Sequence, residues 1–400
     1  MPIQQGDTYA LSIHADYRCH RSGVCCTSDW DVPIELPLYR TLENAMAEGR
    51  LRPAADAAAD PRAFAAGPDL PDDAAAMVAR TRSGDCVFYQ RRSGLCAVQH
   101  DLGEAHLPAT CRHFPRLAVR DGRGTFITLT HYCPTAASML FRDDVPLAIV
   151  ERPPAFPPGD YGGLAIIGDD WPPLLHPRML MDFDGYTAWE RHMVARCAAA
   201  NISPESVVAT LARDARLLRR HDPAHGAIAR AVSDLPRAFV RRPPPVDLRA
   251  SLELFGEVVR AVPDDMTPDA DEERLPEAYL RWVAPGWDRW RQPLTRYVAA
   301  KAFASWTAYQ GRGVQTIVRG LDAALAVVRV EAARQCRDAG GALDAALLRE
   351  AFRSADFLLN HLAAGDALAD SWATVEDASH IEDGDDRSVV ARAGLTLDDA

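Results

Sequence analysis

The stretch "CRHFPRLAVRDGRGTFITLTHYC", residues 111–133, carries two β-type segments, "RLAV" and "TFITLT", on either side of "DGRG". β-Branched and aromatic residues flanking a glycine-bearing turn are the pattern of an antiparallel hairpin. Cys111 and Cys133 each lie eleven residues from Gly122, so a hairpin that turns there brings both neighbourhoods together. "CVFYQRRSGLC", residues 86–96, does the same on a smaller scale, with a turn signal at Ser93–Gly94 that folds Cys86 back towards Cys96. The opening stretch "YRCHRSGVCC", residues 17–26, makes the third contribution with Cys19, Cys25 and Cys26.

Those seven cysteines all precede residue 134, out of nine in a chain of 400 residues; Cys197 and Cys336 complete the set. The asymmetry sets apart a first region, 1–150, read as a cysteine-rich metal-binding domain with short β-hairpins and an Ala/Asp/Pro-rich insertion at 51–80. A Pro/Gly-rich connection follows at 151–179. It contains Leu164, Ile166, Ile167 and Trp171, which are poor linker residues and suit a segment that wraps against a core. From 180 to 365 the pattern is helical. Ser203 followed by Pro204 marks a helix start, and Val207, Val208, Leu211 and Leu218 form its apolar stripe. Val314, Ile317, Val318, Leu321, Leu325 and Val328 make a second stripe, and Leu343, Leu347, Phe352 and Leu359 a third that ends at Gly365. The fold class read from this is mainly α. Cys197 and Cys336 sit in these helical segments and read as buried small hydrophobes.

Charge excludes some functions. The net charge is −12, and from Asp366 onward ten carboxylates stand against Arg387 and Arg392. The remainder is near neutral, so no basic field points to nucleic acid, and 366–400 reads as an acidic, partly disordered tail. Lys301 is the only lysine, and "RLLRRH" at 216–221 reads as a solvated helix face. The N-terminus lacks a basic start followed by an apolar run, and no stretch reaches the roughly 18 apolar residues of a membrane span. The expectation is a cytoplasmic protein, where thiols stay reduced and clustered cysteines serve metals or catalysis more often than disulfides.

Thiolate sulfur suits Zn²⁺ and the iron of iron–sulfur clusters. Seven thiols exceed the four that one zinc ion or one cubane cluster requires. Either more than one metal is held, or some cysteines support or react rather than ligate. Cys25, Cys26, Cys111 and Cys133 are the leading ligand candidates, followed by Cys19, Cys86 and Cys96. His20, His113 and His131 lie one or two positions from cysteines and are candidates for replacement ligands or sulfur-directed donors. A C-x-x-C redox pair is absent, as is the C-x-x-x-C-x-x-C spacing of radical methyl-donor enzymes.

These segments resemble a known family. "CHRSGVCC", "CVFYQRRSGLCAV" and "CRHFPR" are similar to the zinc- or iron-chelating cysteine-cluster (CxxCxxCC) domain, with Ser22 standing where the second cysteine usually falls. "CCTSDWDVPIELPLY" and "GEAHLPATCRHFPRLAVRDGRGTFITLTHYCPTA" look like one branch of it, the flagellin lysine N-methylases. The match over 17–140 is specific and that over 180–365 is loose. The resemblance implies an iron–sulfur (4Fe–4S) or zinc site and methyl transfer from S-adenosylmethionine to a protein lysine, with a flagellin-like substrate as partner.

The residues themselves do not reach methyl transfer. "GDYGGLAIIG" at 159–168 has glycines but no preceding strand to make it a nucleotide-type cofactor loop. Lysine methylation needs a neutral amine, so a site must desolvate the ammonium or supply a base. Trp30, Asp31, Tyr89 and Tyr132 lie near the cysteines and are candidate pocket walls, although Trp30 and Tyr132 read first as packing residues. The alternative is a non-enzymatic zinc- or iron-binding protein with a structural metal and a helical partner-binding surface.

Overall fold

The hairpin forms where its sequence predicts. In this computed structural model Arg116–Asp121 runs antiparallel to Gly124–Leu129, with Asp121 opposite Gly124. The structure describes residues 7–28, 30–53, 63–65, 70, 74–159, 161, 172–241, 247–263, 266, 274–309 and 313–372. Most of the insertion at 51–80, the glycine-bearing stretch after Tyr161 with Leu164, Ile166, Ile167 and Trp171, and the acidic tail from 373 lie outside the described residues.

Thr8–Leu11 joins the hairpin parallel to Gly124–Leu129, and Ile149–Glu151 adds antiparallel on its other side, completing a four-stranded sheet. Gly124 is obligatory at this seam: its φ is +140°, and a Cβ would stand 2.6 Å from the Asp7 carbonyl oxygen. The period-two alternation of strands assigns side chains to two cores. Leu11, Val119 and Phe126 face the helices. Ala10, Ala118, Ile127 and Leu129 face the other way, into a smaller core with Tyr17, Cys133 and Phe156. Covered on both faces, Gly124–Leu129 is buried along its whole length.

The turn of the hairpin is pinned to the helices. Arg123 pairs with Asp121 at 2.8 Å and with Glu190 at 3.1 Å, and its guanidinium lies 4.1 Å from the Phe126 ring centroid. Glu190 belongs to the helix Phe183–Cys197. Both carboxylates are nearly fully buried, so the arginine supplies the opposite charge their burial requires.

A separate core gathers Val32, Ile34, Leu42, Val78, Val87, Phe88, Val98 and Leu107. It lies among the small sheet Pro33–Glu35, Ala74–Val78 and Phe64–Ala65, the helix Leu36–Ala47, and the second predicted hairpin, Tyr89–Gln90 with Leu95–Cys96.

Apart from the antiparallel pair Leu174–His176 and Met179–Leu180, the remaining elements are helices, which makes the described protein predominantly helical with small sheets. Ser203 accepts from the Ser206 amide at 3.1 Å with Pro204 at the first helical position, and opens the helix Pro204–Leu218. Its stripe residues Val207, Val208, Leu211 and Leu218 are buried. The 26-residue helix Val314–Ala339 runs through the middle of the main core and packs against Pro204–Leu218, Leu248–Val259, Arg291–Ala302 and Ala345–Phe357. Cys197 and Cys336 are buried in this core. The third stripe differs at its end. Ala345–Phe357 passes into a π-helical turn, Leu358–Leu362, and a further helix begins at Gly365 rather than ending there. None of the described helices is long and apolar enough to cross a membrane.

Candidate metal centre

The turn "GVCC" is built around Gly23. Its φ of +77° is left-handed, and a Cβ there would stand 2.5 Å from the Tyr89 hydroxyl oxygen. Beyond it Val24–Thr27 forms one helical turn, closed by Ser28, whose hydroxyl donates to the Val24 carbonyl at 2.6 Å. Cys25 and Cys26 stand on that turn with their sulfurs 3.9 Å apart. The Cys86 amide donates to the Cys26 carbonyl at 2.7 Å, which brings the 86–96 hairpin against the turn.

All seven cysteines of the first region line one cavity of about 370 Å³. They fall into two sets. Cys26 contacts Cys25 and lies close enough to Cys96 to shift its acidity, and Cys86 and Cys111 lie within electrostatic reach of Cys25 and Cys96. Across the cavity Cys133 lies 3.8 Å from the Tyr17 hydroxyl and within reach of Cys19. The leading candidates therefore do not form one group: Cys86 and Cys96 stand with Cys25, Cys26 and Cys111, and Cys133 stands apart with Cys19. Arg18, Arg21, Arg112 and Arg116 line the same cavity, with Glu104 as the carboxylate. Ser22 lies on the wall shared with an adjoining open groove that contains Arg18, His20 and Thr135.

Burial and mutual contact set the thiol acidities. Burial pushes Cys86 up to about 11 and raises Cys111 well above its ordinary value. Cys133 is raised for the same reason. The neighbouring Cys26 thiol lowers Cys25 and pulls Cys96 down to about 7, while Cys26 itself is raised. Without a cation Cys26, Cys86, Cys111 and Cys133 favour the protonated thiol; a metal ion inverts that preference.

None of His20, His113 and His131 lines the cysteine cavity. His20 is exposed in the adjoining groove. His131 is fully buried and directed to Asp356, with Nδ1 at 3.0 Å from Oδ2. The proposed pocket walls also sit elsewhere. Trp30 packs 5.1 Å from the Phe114 ring and 5.1 Å from His361, with Tyr132 at 5.7 Å. Tyr89 covers Gly23. Trp30 and Tyr132 are thus packing residues.

A junction that the sequence reading missed lies behind Cys133. Asp356, fully buried, accepts from Lys301 Nζ at 2.5 Å, from the Tyr297 hydroxyl at 2.7 Å and from the His131 amide at 2.5 Å. Burial would raise its pKa, but Lys301 and the hydrogen bonds from His131 hold it well below the usual carboxylate range. An ionised Asp356 accepts only, so His131 Nδ1 carries the proton and its Nε2 accepts from His14 Nε2 at 3.4 Å. Burial keeps both histidines neutral. The signal available in the sequence was Lys301, an isolated lysine in an arginine-rich chain, but its partners lie tens to hundreds of residues away.

Among the described residues, no three His, Cys, Asp or Glu side chains gather tightly enough to hold a single metal ion. Comparison with family models, with curated proteins and with solved structures gives no match.

Proposed function

We propose that the cysteine cavity is a metal centre of the iron–sulfur type. The observation that carries this reading is the convergence of seven thiols from three cysteine-bearing loops on one cavity of about 370 Å³. A zinc ion bonded at about 2.3 Å draws four sulfurs to ~3.8 Å from one another. Cys25 and Cys26 have that spacing, yet among the described residues no set of three ligands gathers tightly enough for one ion. A cluster places several irons and sulfides between its cysteines and so accepts ligands that stand further apart. The five-thiol set, Cys25, Cys26, Cys86, Cys96 and Cys111, would supply its four ligands with one to spare, and the arginines offset the negative charge of thiolate ligation. When bound, such a cluster supplies electron transfer, or an electrophilic iron if one position stays open.

Methyl transfer from S-adenosylmethionine to a protein lysine rests on the resemblance of the segments quoted above. The chain's own lysine is a poor acceptor for such a reaction, since Lys301 is largely buried and ion-paired with Asp356. A zinc clasp without catalysis is the second reading, favoured by the close Cys25–Cys26 pair.

The test is metal and acid-labile sulfide content, with an absorption spectrum, on protein purified without oxygen. Iron with sulfide supports the cluster and leads to a transfer assay with radiolabelled methyl donor and a lysine-bearing protein. Stoichiometric zinc without sulfide replaces it with the clasp. Protein that takes up neither metal removes both.

A further inference from the structure

Cys133 is delivered to the cavity by the segment 130–133, and every residue before it is held by the distant helix Ala345–Phe357 or its π-helical extension. Thr130 Oγ1 lies 3.2 Å from His361 Nε2. The His131 amide and ring both donate to Asp356. The Tyr132 carbonyl accepts from Arg353 Nε at 3.1 Å, and the Tyr132 ring lies 4.8 Å from Phe357. The hydroxyl of Tyr132 then bonds Ser28 Oγ at 2.7 Å, and Ser28 closes the helical turn that carries Cys25 and Cys26.

We propose that Asp356, together with Lys301, is the positioning device of the cysteine cavity: it fixes 130–133, and through Tyr132 and Ser28 it sets the Cys133 wall against the Cys25–Cys26 wall. Asp356 takes four hydrogen bonds, two from the cysteine-bearing segment and two from the helix Arg291–Ala302, which contributes Tyr297 and Lys301. A neutral side chain of the same shape cannot accept all four, because an amide has one acceptor atom and presents two donors of its own. The charge also requires a partner, because an unpaired carboxylate is not stable at full burial. Lys301 meets that need from the body of the protein, and its cation lies on the side away from His131. The pair therefore fastens the metal region to the helical core without placing a charge in the cavity.

The use of this device rests on the metal reading, but its geometry does not, and thiol labelling reads the two apart. Full-length wild type, Asp356→Asn, the double variant with Lys301→Met, and Tyr132→Phe are treated with N-ethylmaleimide before and after chelation, and each cysteine is quantified by mass spectrometry. Cys197 and Cys336, buried in the helical core, are internal controls. The expected result for Asp356→Asn is labelling of Cys133, Cys25 and Cys26 at least about tenfold faster in chelated protein, with the two controls unchanged. The double variant should behave alike, because removing the stranded cation does not restore the hydrogen bonds to His131. Tyr132→Phe, which keeps the packing and loses the bond to Ser28, should expose Cys25 and Cys26 and leave Cys133 slow. Equal acceleration of the controls would show that Asp356 supports the whole fold, and unchanged labelling in all variants would show that the walls hold without it; either result overturns the proposal. Should Asp356→Asn fail to fold, unchanged Cys25 and Cys26 in Tyr132→Phe overturn it alone. Wild type that holds no metal defeats the metal reading only.

Discussion

Replacing Gly23 by alanine gives the sharpest test of how the cysteine turn is built. Two costs apply. The φ of +77° places an alanine in the left-handed region, at about 1 kcal/mol. The new Cβ would also meet Tyr89, with its hydroxyl oxygen at 2.5 Å and ring carbons at 2.8 and 2.9 Å. Because these are the end of an aromatic ring wedged beside the turn, relief requires moving Tyr89 or the turn, at ~1–3 kcal/mol. Against this, alanine restricts the unfolded chain and returns ~0.4–1 kcal/mol. The net expectation is a loss of about 2 kcal/mol, concentrated at the turn that presents Cys25 and Cys26. Gly49→Ala is the matched control: its φ is +72° and no atom lies within 4 Å of the added Cβ. Urea unfolding of both variants, with metal content measured on the same preparations, separates strain from contact. Gly23→Ala should be less stable than Gly49→Ala by more than about 1 kcal/mol and should bind less metal. Adding Tyr89→Ala to Gly23→Ala should recover part of the metal. Equal stability and equal metal in the two single variants would refute the claim that Tyr89 and Gly23 shape the site.

Three further outcomes follow from the same geometry. The metal-free protein should lose stability as pH rises from about 9 through about 11. Cys86, held up to about 11 by burial, with Cys111 and Cys133 raised alike, then binds protons that the unfolded chain has already released, and pH-dependent urea midpoints read this. Lys301→Met strands the buried Asp356 charge and should cost ~3–5 kcal/mol. The depressed pKa of Asp356 contributes stability above the unfolded value near 3.9 that is lost as pH falls through the folded one, so the gap between wild type and the variant should be widest near neutral pH and narrow in acid, where the stranded carboxylate takes up a proton; urea midpoints against pH read this. Cys197→Ala and Cys336→Ala should leave metal content unchanged and lower the urea midpoint through lost packing of about 1 kcal/mol each, whereas a drop in metal would place those thiols in the site.

Local features were legible in the linear chain because their causes are local. Alternating apolar residues around Asp121–Gly124 make the hairpin, Ser203 and Pro204 start a helix, and the apolar stripe of Val314–Ala339 marks the face of a buried helix. The gathering of three cysteine-bearing loops was readable for the same reason, since each turn acts over about ten residues. The division of seven thiols into sets of five and two was not. It depends on which wall of the cavity each loop reaches, and that follows from Thr8–Leu11 entering beside Gly124–Leu129 and from the 130–133 segment docking on Ala345–Phe357. Nor could spacing relate Lys301, Asp356, His131 and His14, which meet across the sheet and two helices. Short-range order follows from propensity and turn chemistry written in adjacent residues. A buried charge finds its partners only after the apolar faces have packed, because that packing excludes the water that would otherwise serve each of them.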